Sequence, residues 1–233
     1  MKSIVKVLTA PLIIAVFLFS FNTINAQNKV VREIGDFDKV KVSDNVKVVF
    51  KKADKERISI TATGIGYDKI VTDLSGRELR IRVKTGIYKN SDVNIVVEYE
   101  ILRSIEASNK ADISFSETLT GDEVKLKATG NAVINVEVDV SAVKASLSNG
   151  GRIEISGRAD LQEVDANLGS KYNAYEFKTE NGYVKSNTNS DIVVWVINRL
   201  EASSGSKSEL KYRGKPAEVI SSTNLGGKIS GGL

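Results

Sequence analysis

The chain contains no histidine and no cysteine. Without histidine it lacks the commonest general base and the commonest metal ligand, so Ser-His-Asp and Cys-His nucleophilic catalysis are excluded. Zinc and copper sites lose their usual donors as well. Without cysteine no disulfide can staple the fold, which must rest on packing and backbone hydrogen bonding. Proline occurs twice, tryptophan once, and aromatics make up 6% of 233 residues. Apolar residues at helical spacing are also missing beyond residue 26, and no block of like charge suits a nucleic acid. Formal net charge is +4. Loss of Lys2 and Lys6 with a leader that carries no acid would lower it to +2.

Residues 1–26 read as that leader. Lys2 and Lys6 make a basic start, an apolar run spans Leu12 to Phe21, and Ile24-Asn25-Ala26 precedes Gln27. This is the pattern of a secretory signal peptide. The competing reading is a membrane anchor, but the uninterrupted run is shorter than the roughly 20 residues a helical span needs. Cleavage would leave residues 27–233 as one domain, with strands over 30–100 and repeated coils over 101–233. No transmembrane segment is expected after cleavage.

Period-two alternation is present almost everywhere else. Val40, Val42, Val46, Val48 and Phe50 alternate with polar residues, as do Leu79, Ile81 and Val83, and Val93, Ile95 and Val97. That is the pattern of strands with one buried face. Leu74-Ser75-Gly76-Arg77-Glu78-Leu79 reads as a hairpin tip.

From residue 105 a second pattern is superposed. Ile105, Val124, Val143, Val164, Val184, Leu200 and Val219 each open a similar segment, at spacings of 19, 19, 21, 20, 16 and 19 residues. A small or apolar residue follows at position 3, a Ser/Asn-rich bend comes next, and then a second alternating strand. VKASLSNGGRIEI from Val143 and VKLKATGNAVINV from Val124 show it plainly. A fixed period near twenty marks a repeat architecture. One coil cannot bury its own apolar residues, whereas stacked coils about 4.8 Å apart bury them as columns. The expected fold is all-β, a right-handed parallel β-helix or β-solenoid with an N-terminal strand region. An antiparallel β-sandwich of short strands is the alternative. Stacked from their openers, Val143, Val164 and Val184 should share one buried column, and Tyr175 and Phe177 should point inward. The coil from Val164 needs one inserted residue.

The order of these pieces carries a resemblance. FDKVKVSDNVKVVF from Phe37, IEASNKADI from Ile105, ELKYRGKP from Glu209 and STNLGGKI from Ser222 together resemble the head GIN domain family, exported bacterial proteins of autotransporter-adhesin type. The resemblance covers about residues 30–233 and rests on many short motifs in sequence. It implies a β-helix-like fold and an adhesive cell-surface role, and it brings no catalytic residues.

Carboxylates need weighing, because β-helices also carry polysaccharide lyases and hydrolases. Glu137 with Asp139, Asp160 with Glu163 and Asp165, and Asp122 with Glu123 are the candidate groups; none comes with an aromatic wall. The glycine pairs near the C-terminus lack the strand-then-helix context of a phosphate cradle. No cofactor or metal is expected. Trp195 is different. It falls between inward Val194 and Val196, so it should face out, in a column with Glu176 and Lys211 one coil away on either side. An outward indole between an acid and a base suits recognition. Trp195, Glu176 and Lys211 are therefore the candidate binding residues. The expected function is an exported, non-catalytic, adhesin-like module for a cell-surface protein or glycan. A β-helix polysaccharide-active enzyme and a ligand-free structural or signalling component of the envelope are the alternatives.

Overall fold

Eight times along the chain, two consecutive residues adopt left-handed backbone. They are Asp44-Asn45, Asn109-Lys110, Gly130-Asn131, Asn149-Gly150, Leu168-Gly169, Thr188-Asn189, Ser206-Lys207 and Leu225-Gly226. Paired positive φ values define a type I′ turn. Five of the eight close with the expected i→i+3 bond, for example Ala132 N–H to Thr129 O at 3.2 Å. The turns also stack: Asn131 N donates to Asn149 O, and Gly150 N to Leu168 O, both at 3.0 Å. Each corner thus hands a backbone bond to the next coil.

The computed structural model describes residues 29–232, so the expected leader over residues 1–26 lies outside the described residues. Seventeen strands form one continuous curled sheet. They are β1 (Lys29–Glu33), β2 (Lys39–Val42), β3 (Lys47–Lys52), β4 (Arg57–Thr63), β5 (Ile70–Ser75), β6 (Glu78–Val83), β7 (Asp92–Tyr99), β8 (Ser104–Ala107) and β9 (Asp112–Phe115). There follow β10 (Leu119–Thr129), β11 (Val133–Ser148), β12 (Arg152–Ala166), β13 (Lys171–Ser186), β14 (Asp191–Ser204), β15 (Glu209–Arg213), β16 (Glu218–Thr223) and β17 (Lys228–Gly231). No α-helix occurs among the described residues, and none of their helices is long and apolar enough to cross a membrane.

From β8 onward every coil pairs in parallel with the next, which makes a β-solenoid of about seven turns. The antiparallel-sandwich alternative is thereby set aside. Antiparallel pairing is confined to the N-terminal end, where β4 joins β1 and β7, and β5 joins β6. The hairpin at Leu74–Leu79 is present there, with Ser75 opposite Glu78. β2 and β3 then form the first corner-linked coil, flanked in parallel by β6 and β8 and by β7 and β9. Phe50, Tyr99 and Phe115 interlock at this junction, with ring centroids 5.1–6.2 Å apart.

Two sets of inward residues fill the core. On one wall Ile105, Leu126, Ala145, Val164, Val184 and Ala202 stack in register. On the other, Ile113, Ile134, Ile153, Tyr172, Ile192 and Leu210 do so, all at 0–1% exposure. The openers do not form one column as the sequence suggested. Val164 pairs with Val184, but Val143 pairs with Gln162, two residues earlier. Val124, Leu200 and Val219 are displaced in the same way. A shift of two leaves every side chain on its own face, so alternation alone cannot detect it. The corner sets the register instead. The true column lies four residues before the first left-handed residue of each turn, as in Ala145 before Asn149 and Val164 before Leu168.

The corner column changes character along the molecule. Ala111, Ala132 and Gly151 occupy it early; Ser170, Ser190 and Ser208 occupy it later, all three buried. Their hydroxyls are spent locally. Ser170 Oγ donates to Asn167 O at 2.8 Å, Ser190 Oγ donates to Asn187 O at 2.7 Å, and Ser208 Oγ accepts from Ser190 N–H at 3.1 Å. Buried hydroxyls satisfied in this way avoid the desolvation cost of an unpaired polar group.

Candidate functional site

The two outer faces of the solenoid treat their polar side chains differently. On the face built from β8, β10 and the later first strands, charges pair across coils. Lys127 meets Glu106 at 3.0 Å and Lys144 meets Glu123 at 2.8 Å. The Lys144 ammonium holds the Glu123 carboxyl below the usual carboxylate range. On the opposite face a groove of about 770 Å³ runs across the second strands of six coils. Asn135, Glu137, Glu154, Ser156, Asn173 and Glu176 are among its lining residues. Glu137 and Glu154 enter no ion pair among the described residues. Polar groups left for water on a concave surface are what a ligand can take over.

One end of this groove is irregular. From β12 to β13 the register slips by one residue between Glu154–Asn173 and Ser156–Glu176, the insertion expected from the sequence. From β13 to β14 it slips further: Asn173 pairs with Val193, but Lys178 pairs with Trp195. Residues 174–177 therefore bulge from β13. A bulge re-aims side chains, and Tyr175 is 43% exposed. The expected inward Tyr175 is thus corrected; Tyr172 and Phe177, at 1% and 0%, take the core positions.

The bulge also moves the neighbours of Trp195. Its ladder partners are Lys178 and Arg213, whereas Lys211 pairs with Val193 and Glu176 with Ser156. The expected column of Glu176, Trp195 and Lys211 is therefore corrected, because the extra residues of β13 displace Glu176 from it. All three still fall in one neighbourhood. Glu176 and Lys211 line the groove, and Trp195 lies beside it under Arg213. The guanidinium carbon of Arg213 stands 4.0 Å from the Trp195 ring centre and 4.2 Å from that of Tyr175. Both distances are within cation–π range. Arg213 Nη1 donates to Tyr175 O at 2.8 Å and reaches Glu176 Oε1 at 3.5 Å. Lys178 Nζ lies 6.0 Å from the indole. The indole is only partly exposed as a result, a middle position between the open surface residue and the covered one.

Arg213 was not legible as a site residue in the sequence, since nothing there shows how far the bulge displaces β13. What fixes it is Gly214 (φ +94°), where an added Cβ would come 2.2 Å from Val196 O and 3.1 Å from the indole. Only glycine lets the chain turn so closely over Trp195.

A buried polar network lies beneath. Gln162, fully buried, donates from Nε2 to Thr179 Oγ1 at 2.6 Å and to Trp195 O at 3.5 Å. Thr179 Oγ1 also donates to Trp195 O at 3.1 Å, and Tyr172 OH donates to Gln162 Oε1 at 3.4 Å. The Trp195 carbonyl is thus bonded by side chains at the very place where the strand register breaks.

Three of the candidate acids are held by neighbouring side chains. Arg158 holds Asp139 by two bonds of 2.9 and 2.7 Å, which keeps its carboxyl below the usual range. Asp165 accepts from Asn167, and Glu123 is held by lysines. Among the described residues no group of three or more acidic side chains is arranged to hold a metal.

The sequence profile of the family described as "Putative auto-transporter adhesin, head GIN domain" matches residues 36–216. The chain belongs to this family. No curated protein matches it. Solved structures share the head GIN fold at low identity. A "putative adhesin" from Bacteroides fragilis NCTC 9343 superposes with a TM-score of 0.78 at 16% identity, covering 88% of this chain and 98% of that one. A "putative adhesin" from Parabacteroides merdae ATCC 43184 gives 0.72 at 16%, covering 90% and 98%. A "putative lipid binding protein" from Parabacteroides distasonis ATCC 8503 gives 0.70 at 18%, covering 89% and 98%. At such identities the likeness concerns the fold.

Proposed function

We propose that this head GIN chain is an exported, non-catalytic binding module of the cell envelope that holds its partner in the groove across the second strands. One observation carries the reading. The bulge at residues 174–177 places Tyr175, Glu176 and the stacked Arg213 at a groove in which Glu137 and Glu154 enter no ion pair among the described residues. Family membership supports an adhesive role, and the absence of histidine weighs against acid–base chemistry. In this reading Glu176 and Lys211 touch the partner directly. Trp195 acts mainly by supporting Arg213. The leader is removed after Ala26, and the intact mass of the exported protein tests that step; retention of residues 1–26 would refute it.

Binding itself is tested with purified residues 27–233 against immobilised glycans and envelope proteins. Tyr175→Ala and Glu176→Ala should each weaken capture while circular dichroism stays unchanged. Equal weakening by Lys127→Ala, on the opposite face, would place the binding surface elsewhere. Acrylamide should quench Trp195 fluorescence to an intermediate degree, since Arg213 covers one side of the indole.

A further inference from the structure

Arg213 is spent on one side only. Its planar guanidinium has five N–H donors arranged as forks. Nη1 serves Tyr175 O and Glu176. Among the described residues no partner engages Nε or Nη2. These two atoms form the side-on fork that matches a carboxylate with two parallel hydrogen bonds. The group is already held between Tyr175 and Trp195, so little side-chain freedom remains to be lost when a ligand arrives. Its side chain keeps 23% exposure. Stacking has removed water from the faces and left a donor edge.

The charges of the groove are polarised. Arg213 and Lys211, the latter paired with Glu209 at 3.1 Å, stand at the β15 end beside Glu176, with Lys178 close by on β13, so three cations face two carboxylates there. Glu154 lies three strands from Lys211, across Asn173 and Val193, or about 14 Å at the spacing of paired strands. Glu137 lies one strand further still. A polyanion laid along this groove would meet repulsion at the acidic end. A chain of neutral hydroxylated units would not, because the carboxylates of Glu137 and Glu154 accept hydrogen bonds and the amides of Asn135 and Asn173 both give and accept them. Tyr175 adds an exposed ring against which an apolar sugar face can stack.

Resting on the groove reading above, we propose that the occupant is an oligosaccharide with one terminal acidic sugar. Its carboxylate takes the Nε/Nη2 fork of Arg213, and its neutral sugars run toward Glu154 and Glu137. A lone arginine on a flat surface would not single out one end of a ligand. An arginine fixed between two rings, at the basic end of an otherwise acidic groove, does.

The sole tryptophan reports directly on this contact, since Arg213 lies over its ring. The probes are 3′-sialyllactose and an aldotriouronic acid, each with its methyl ester, plus hexagalacturonate as a polyanion. Trp195 emission is followed on titration into residues 27–233. The acid forms should bind, and the methyl esters should bind about tenfold more weakly or worse, as loss of a charge-assisted bond implies. Arg213→Lys keeps the charge but lacks the fork; it should lose the preference of acid over ester. Hexagalacturonate should bind less well than either single-acid probe. Equal affinity for acid and ester, or a preference for the polyanion, would overturn the terminal-acid assignment while leaving a glycan-binding groove. Binding of no probe, alongside capture of an envelope protein that Tyr175→Ala abolishes, would overturn the glycan assignment and keep the binding module. Where Arg213→Lys alters the circular dichroism, the wild-type comparison of acid with ester still decides.

Discussion

Coils β10 to β12 and coils β13 to β15 are made from one repeat, yet they differ in order. From β10 to β12 the ladder is regular, and the core column between Val124 and Val143 is aliphatic. Beyond Val143 the same column passes through Gln162 of β12 and Gly182 of β13, and the ladder breaks twice between β13 and β14. The later coils carry buried serines where the earlier ones carry alanine or glycine. The difference teaches where a solenoid can afford a site. A regular coil gives all its backbone groups to its neighbours and has nothing to re-aim. An irregular one must re-satisfy the orphaned groups from side chains, as Gln162 and Thr179 do for Trp195 O, and it gains a displaced Tyr175 and a clamped Arg213.

The largest effect that can break this comparison is at Val164, buried in the regular wall. Val164→Asp places an unpaired charge in the column between Ala145 and Val184 and should cost about 3 kcal/mol or more in denaturant unfolding. Ser146→Asp, on the outer face of a neighbouring coil, should stay within about 0.5 kcal/mol. Similar costs at the two positions would mean that the inner and outer faces are wrongly assigned.

Next comes the polar network. Gln162→Leu keeps volume but removes a donor from both Thr179 and the Trp195 carbonyl. A loss of about 1–3 kcal/mol is expected, with a shifted Trp195 emission. The same exchange in reverse, Val143→Gln in the regular coil, finds no prepared partners and should cost at least as much. A stabilising Gln162→Leu with unchanged emission would show that the irregular coils do not depend on the network.

The turns give a smaller, two-sided test. Thr188 is a β-branched residue at φ +54°, a conformation such residues rarely adopt. Thr188→Asn should stabilise by about 1 kcal/mol, and Asn131→Thr in a regular coil should destabilise by a similar amount. Thermal unfolding of the two variants measures both.

The smallest effect separates the aromatic junction from the coils. Burial pushes the Tyr99 hydroxyl up from 10.0 to about 12, and raises that of Tyr172 as well. A raised folded value means that the neutral phenol is favoured in the fold. The stability it contributes is complete below pH 10 and is lost as pH rises toward 12. Tyr99→Phe should move the alkaline unfolding midpoint modestly upward; an unchanged midpoint would leave Tyr172 as the controlling group.

Much of this was readable in the residues. Alternation identified strands and their buried faces, because strand geometry sends successive side chains to opposite sides whatever the surroundings. The twenty-residue period implied stacked coils, since a coil of that length cannot bury its own apolar face. The outward side of Trp195 followed from Val194 and Val196 alone. Register and neighbours were decided only in three dimensions. A slip of two residues preserves every face, so the openers could not reveal that Val143 lies beside Gln162. The true marker was the type I′ corner, but Leu168, Thr188, Ser206 and Leu225 hold its first position without being glycine or asparagine. The bulge after Asn173 has no local signature either. It arises because β13 carries three more residues than β14 between two fixed pairings, and only that mismatch brings Arg213 between Tyr175 and Trp195.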